Sequence, residues 1–175
     1  MVKNRQLRKN LILICLAAIF ILLLAGSVYR HLEKKNWEKD ISALPAFCLP
    51  QAMDSVLFCH SQIAGNAPVV ILYLHPDCDL CQSEAAFLRE KISLFGNSQL
   101  LMISHAGREE LSRFVTDYGL DRLPSLKILT DPDIEMYTRL KVNRIPACFV
   151  YDDKHQFVTS FQGIVRLDMV IELIR

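Results

Sequence analysis

Cys78 and Cys81 stand in the run Leu74-His75-Pro76-Asp77-Cys78-Asp79-Leu80-Cys81, directly behind the apolar, β-branched stretch Val69 to Leu74. Two thiols at this spacing cycle between dithiol and disulfide if one of them ionises and the other reaches it. A buried strand giving way to a helix puts Cys78 at the helix N-terminus, where unpaired N–H groups and the helix dipole favour an anion. Cys78 is therefore the expected nucleophile. Cys81 follows one turn later on the same face and is expected to resolve a mixed disulfide by intramolecular attack. Asp77 and Asp79 flank Cys78 and oppose negative charge on its sulfur, so the couple is expected to be reducing.

The same spacing serves zinc, but a second matched pair normally completes the four ligands, and the sequence has none. His75 extends the motif to H-x-x-C-x-x-C, so a metal site with Cys59 or His60 as fourth ligand stays open, as does a pair of cysteines that merely pack. Gln82 after Cys81 excludes c-type haem attachment. Near the dithiol, His75 either faces solvent or raises thiolate content when protonated. His31, His60, His105 and His155 form no pattern. Cys15 reads as a small apolar residue and Cys148 as a buried strand residue. Cys48 and Cys59 fall on neighbouring predicted strands and either form a structural disulfide or stay apart, because spacing does not fix the directions of their Cβ atoms.

Positioning these residues takes an alternation of strands and helices. Ala46 to Leu49 and Val56 to Cys59 predict two short strands around a turn at Met53, Asp54 and Ser55. Val69 to Leu74 predicts a central buried strand. Apolar spacing predicts a helix from near Cys78 to near Gly96, a strand over Gln99 to Ser104, and a helix over Arg108 to Tyr118 with Gly119 beyond its end. Ser125 to Leu129 predicts a further strand and Asp133 to Leu140 a short helix, with Asp131 and Asp133 as helix-start residues. A strand over Ala147 to Tyr151, a turn over Asp152 to His155, a strand over Phe157 to Phe161 and a helix over Arg166 to Ile174 complete the chain. There is no internal repeat.

The N-terminal part differs in kind. Leu11 to Tyr29 carries no charge, and nineteen residues in a helix reach about 28 Å, close to the hydrocarbon thickness of a bilayer. Lys3, Arg5, Arg8 and Lys9 precede it and favour an N-terminus inside, although Arg30, Lys34, Lys35 and Lys39 follow it in equal number. A cleaved signal peptide ending around Ala25, Gly26 and Ser27 is the rival reading. The expected organisation is a cytoplasmic N-terminus at 1–10, an anchor at 11–29, a stalk at 30–44 closed by Pro45, and a domain at 45–175. Residues 1–44 hold eight Lys and Arg against three Asp and Glu, leaving twelve against sixteen for the remainder. The domain is mildly acidic, with no basic face to suggest nucleic acid.

Over 45–175 the chain resembles the thioredoxin superfamily, specifically membrane-tethered extracytoplasmic reductases of the TlpA and ResA type, relatives of the AhpC/TSA redoxins. The likeness rests on Leu44-Pro45-Ala46-Phe47 as the opening strand, Ala64 to Val70 before the central strand, Cys78-x-x-Cys81-x-x-Glu84 as the active helix, Arg144 to Phe149 as the cis-proline segment, and Asp152 to Gly163 as the final hairpin. It implies a thioredoxin-like α/β fold, a central mixed β-sheet flanked by helices. It implies thiol-disulfide oxidoreductase activity, a protein disulfide as substrate, an upstream thiol electron donor, and no cofactor or metal beyond the Cys78–Cys81 disulfide. By the same resemblance Pro146 is a cis-proline that presents the Ile145 backbone to an extended substrate, and Glu84 exchanges the proton of Cys81. The family usually has Trp before the first cysteine and Pro before the second. Here these are Asp77 and Leu80, so Asp77, Asp79 and Leu80 are expected at the substrate contact. Cys81-Gln82-Ser83-Glu84 also resembles the C-P-T-E run of peroxiredoxins, which keeps a thiol peroxidase as an alternative beside a metal-binding or redox-controlled binding module.

Overall fold

The computed structural model describes the backbone of residues 2–174 and the side chains of 14–32 and 40–174. It divides into two compact units, residues 1–40 and Ile41–Arg175. The first is one helix, α1 (Val2–Asp40). Within it, Ile14–Leu32 is long and apolar enough to cross a membrane, with mean hydropathy 1.9 and none of it buried. The side chains of Lys3, Arg5, Arg8, Lys9, Lys34, Lys35 and Lys39, on which the expected orientation rests, lie outside the described residues. The helix runs through most of the expected stalk, and Ile41 and Leu44, at its end, are already buried inside the second unit.

That unit opens with a small two-stranded sheet, β1 (Cys48–Pro50) antiparallel to β2 (Leu57–Cys59), with Cys48 opposite Cys59 and their sulfurs joined. The main sheet has five strands: β3 (Val69–Tyr73), β4 (Gln99–Ser104), β5 (Leu126–Thr130), β6 (Ala147–Tyr151) and β7 (Phe157–Gln162). Their spatial order is β5-β4-β3-β6-β7, parallel across β3, β4 and β5 and antiparallel across β3, β6 and β7. At the β5 edge, the segment after β1 bonds to Leu129 and Ile128, so this edge is partly covered.

Every residue of β3 is buried, which is why its sequence does not alternate. The two faces still take alternate residues. Val70, Leu72, Leu100, Met102, Leu126, Ile128, Cys148 and Val150 share one apolar cluster with three helices. These are α2 (Asp79–Lys91) through Cys81, Ala85 and Leu88, α3 (Arg108–Asp117) through Leu111, Phe114 and Val115, and α5 (Leu167–Leu173) through Leu167, Val170 and Ile171. Each set repeats at i, i+3 or i+4, and each fully buried aliphatic side chain contributes about 1.5–3 kcal/mol. On the opposite face Tyr73 meets Tyr137 of α4 (Glu135–Arg139), ring centroids 5.5 Å apart. The helix expected to reach Gly96 stops at Lys91 and continues as a 3-10 turn, Ile92–Phe95, before Gly96 at φ 59°.

Candidate functional site

The end of β3 aims the chain at the head of α2. Leu74 and Pro76 are buried, Asp77 is exposed, and Cys78 occupies the N-cap of α2 in extended geometry (φ −104°, ψ 115°). In place of a capping hydroxyl, the Cys78 sulfur accepts the Cys81 N–H at 3.4 Å, so a group that usually satisfies an orphan helix donor here is a thiol. The Cys78 thiol is half-buried and points to the Ile145 carbonyl, 3.9 Å away. Cys81 is wholly buried, and its sulfur accepts the His75 N–H at 3.5 Å. Burial first, and then the contact with Cys78, push the Cys81 thiol far above the ordinary range, with the His75 N–H acting in the opposite sense. The pair is thus asymmetric, with one reachable sulfur and one sealed sulfur a helical turn behind it.

Glu84 lies half-buried on the next turn. Burial, and secondarily the charge of Asp168 on α5, raise its carboxyl to about 7. Its charge also raises Cys81 and the fully buried Cys148, so both thiols lie within its field. Asp168 is held by Arg166 through two bonds of 3.1 and 2.9 Å.

The Ile145–Pro146 peptide is cis, and the Pro146 carbonyl accepts the Gly163 N–H at 2.8 Å, tying this loop to the end of β7. The structure therefore brings Cys78, Cys81, Ile145 and Pro146 together. Asp77, Asp79 and Leu80 are exposed beside Cys78, Leu80 with 52% of its surface open. The metal set built on His75, Cys78 and Cys81 loses one proposed ligand, because Cys59 is bonded to Cys48.

A polar cluster with no signal in the sequence lies next to this loop. The His105 ring stacks on Tyr73 (5.9 Å), lies 5.0 Å from His75 and meets Tyr137 edge-on at 5.8 Å. Beneath them Asp131, wholly buried, accepts Tyr73 Oη at 2.8 Å and the N–H groups of Tyr137 and Met136 at 2.9 and 3.3 Å. Asp131 does cap a helix start, as its position before α4 suggested. Its bond to a tyrosine 58 residues earlier had no local signal.

No curated protein matches the sequence. Among solved structures, a secreted Mycobacterium tuberculosis disulfide oxidoreductase is similar to this chain at 18% identity, covering 78% of it and 96% of the other chain with a TM-score of 0.63. A thiol-disulfide oxidoreductase from Bacteroides fragilis NCTC 9343 is similar at 18% identity over 75% and 98%, TM-score 0.61. A thioredoxin-like protein from Aeropyrum pernix is similar at 16% over 86% and 99%, TM-score 0.61. These likenesses establish a thioredoxin-like fold. Residues 42–160 match the AhpC/TSA family, and the chain belongs to that family.

Proposed function

We propose that this protein is a membrane-anchored thiol-disulfide oxidoreductase of the TlpA and ResA type, which reduces protein disulfides outside the cytoplasm. The observation that carries the reading is the asymmetry of the dithiol: Cys78 half-buried at the N-cap of α2, Cys81 sealed behind it and bonded through its N–H to the Cys78 sulfur. A Cys78 thiolate attacks one sulfur of a substrate disulfide, forming a mixed disulfide and releasing the other substrate sulfur as a thiol once it takes up a proton. Cys81 then gives its proton to Glu84 and attacks the Cys78 sulfur. The second substrate thiol departs, and the protein is left with a Cys78–Cys81 disulfide. Two electrons have passed to the substrate, and an external thiol donor restores the dithiol.

In this scheme an extended substrate lies against the Ile145 backbone beside Pro146, with Asp77, Asp79 and Leu80 forming the exposed rim it meets. The exposed apolar span of α1 supports a membrane anchor. Burial of Cys81 counts against the peroxidase reading, in which that sulfur would have to meet peroxide directly.

Mixed-disulfide trapping tests the proposal. Cys81→Ser is expected to accumulate a covalent adduct with a disulfide-bonded protein substrate that thiol reductant releases, and Cys78→Ser to form none and to lose reductase turnover. Retained turnover in Cys78→Ser, or consumption of peroxide without any disulfide substrate, would overturn it.

A further inference from the structure

Beside the dithiol, three side chains from two separate elements converge. His75 and Asp77 come from the loop after β3 and Glu110 from the first turn of α3. One nitrogen and two carboxylate oxygens from them lie within 4.8 Å of one another. We propose that His75, Asp77 and Glu110 form a site for a divalent first-row transition ion. One imidazole and two carboxylates match the donors such ions accept, whereas calcium would need six to eight oxygens. Bonds of about 2.0–2.2 Å put donor atoms roughly 3–3.5 Å apart. The three groups therefore need to close by up to about 1.3–1.8 Å, a movement of side-chain ends.

A second observation favours a cation at this place. Glu110 is half-buried, and its Oε1 is shut off from solvent with no hydrogen-bond partner among the described residues. A carboxylate oxygen stripped of water without a donor to replace it is costly, and a metal ion removes that cost. Behind the site the His105 ring, 5.0 Å from that of His75, also carries a buried and unpartnered Nδ1. Asp77 and Glu110 open onto a cleft of about 700 Å³ that also takes in Asp117 and Arg113. Three carboxylate residues and one arginine thus line it, and the Arg113 Nε is directed to the Glu109 carbonyl at 3.5 Å. With only three protein ligands, two of them at the rim of an open cleft, there is room for a further ligand on the ion, water or an incoming group. Neither sulfur of the dithiol belongs to the donor set.

Titration of the full-length protein in detergent with zinc chloride tests this, with Cys78 and Cys81 first oxidised to the disulfide so that no free thiol of the pair is available. The expected result is one zinc per chain, with Glu110→Gln and Asp77→Asn each weakening binding at least tenfold while their thermal unfolding stays that of the parent. Cobalt(II) is expected to compete for the same site and to give a spectrum of nitrogen and oxygen ligation. The proposal is overturned if the oxidised protein takes up no stoichiometric zinc, if zinc binds only after reduction, or if both variants bind as the parent does.

Discussion

Glu84 is the residue where burial and chemistry meet. A carboxyl raised from 4.5 to about 7 holds its proton more tightly folded than unfolded, so the stability it lends is complete below about pH 4.5 and is lost as pH rises through 7. Denaturant titrations from pH 5 to 8 should show the parent losing stability across that window, and Glu84→Gln losing less. The same group serves the proposed resolving step in the opposite direction. Cys81 must lose a proton held tightly by burial, and an ionised Glu84 can accept it only as pH passes about 7. In single-turnover kinetics Glu84→Gln should slow release of the mixed disulfide by about 10²-fold, the lower end of general acid–base effects, and flatten its rise near pH 7. Alkylation of Cys78 should be unchanged. An unaltered pH profile would reduce Glu84 to a packing residue. The C-x-x-C-x-x-E spacing makes this carboxylate legible in the sequence itself, since three residues are close to one helical turn. Its partner Asp168 is not legible there, because it lies 84 residues further on and approaches only when α5 packs against the same sheet face.

At the scale of elements, the hairpin β1–β2 and the junction of β5 with α4 are each held by one long-range feature. Cys48 and Cys59, eleven residues apart, close a short loop at the edge of the fold. Loop-closure entropy gives such a bond about 2–3 kcal/mol, which Cys48→Ala with Cys59→Ala should remove in urea unfolding while disulfide exchange at Cys78 persists. The sequence placed both cysteines on strands around the right turn but could not settle their pairing. Pairing depends on register, and a shift of one residue would turn the two side chains to opposite faces. Asp131 poses the complementary case. Tyr73→Phe removes one of its three donors and should cost about 1.5–3 kcal/mol, whereas Asp131→Ala strands the tyrosine hydroxyl and two backbone N–H groups in the interior and should cost more. Equal losses would show that Tyr73 supplies most of what Asp131 contributes. The strands Gln99–Ser104 and Ala147–Tyr151 follow the sequence pattern residue for residue, since a short, mainly apolar run bounded by turns leaves little choice. The head of α4 does not, because Ile134 adopts a left-handed conformation that no local propensity favours and that buried Asp131 helps to hold in place.

For the molecule as a whole, the division at Asp40 and Ile41 carries the strongest physical consequence. Residues 41–44 belong to the folded unit: the Leu44 N–H donates to His155, the Phe157 N–H donates to Ser42, and Ile41 is fully buried. A cut at Pro45, where composition alone placed the boundary, would therefore remove core and backbone bonds from the β6–β7 hairpin. A cut before Ile41 removes none of them. Among the described residues of α1, Phe20, Leu22 and Leu23 leave more than 60% of their surfaces open rather than buried. In the proposed anchor those surfaces meet lipid instead, each Leu, Ile or Phe near mid-membrane favouring insertion by about 0.3–0.6 kcal/mol. Residues 41–175 expressed alone should thus be soluble, unfold cooperatively at the temperature of the full-length protein and form the same Cys78 mixed disulfides, while losing association with lipid vesicles. A version starting at Pro45 should melt several degrees lower. If 41–175 instead aggregates or loses its cooperative transition, α1 is part of the core and the anchor reading fails with it.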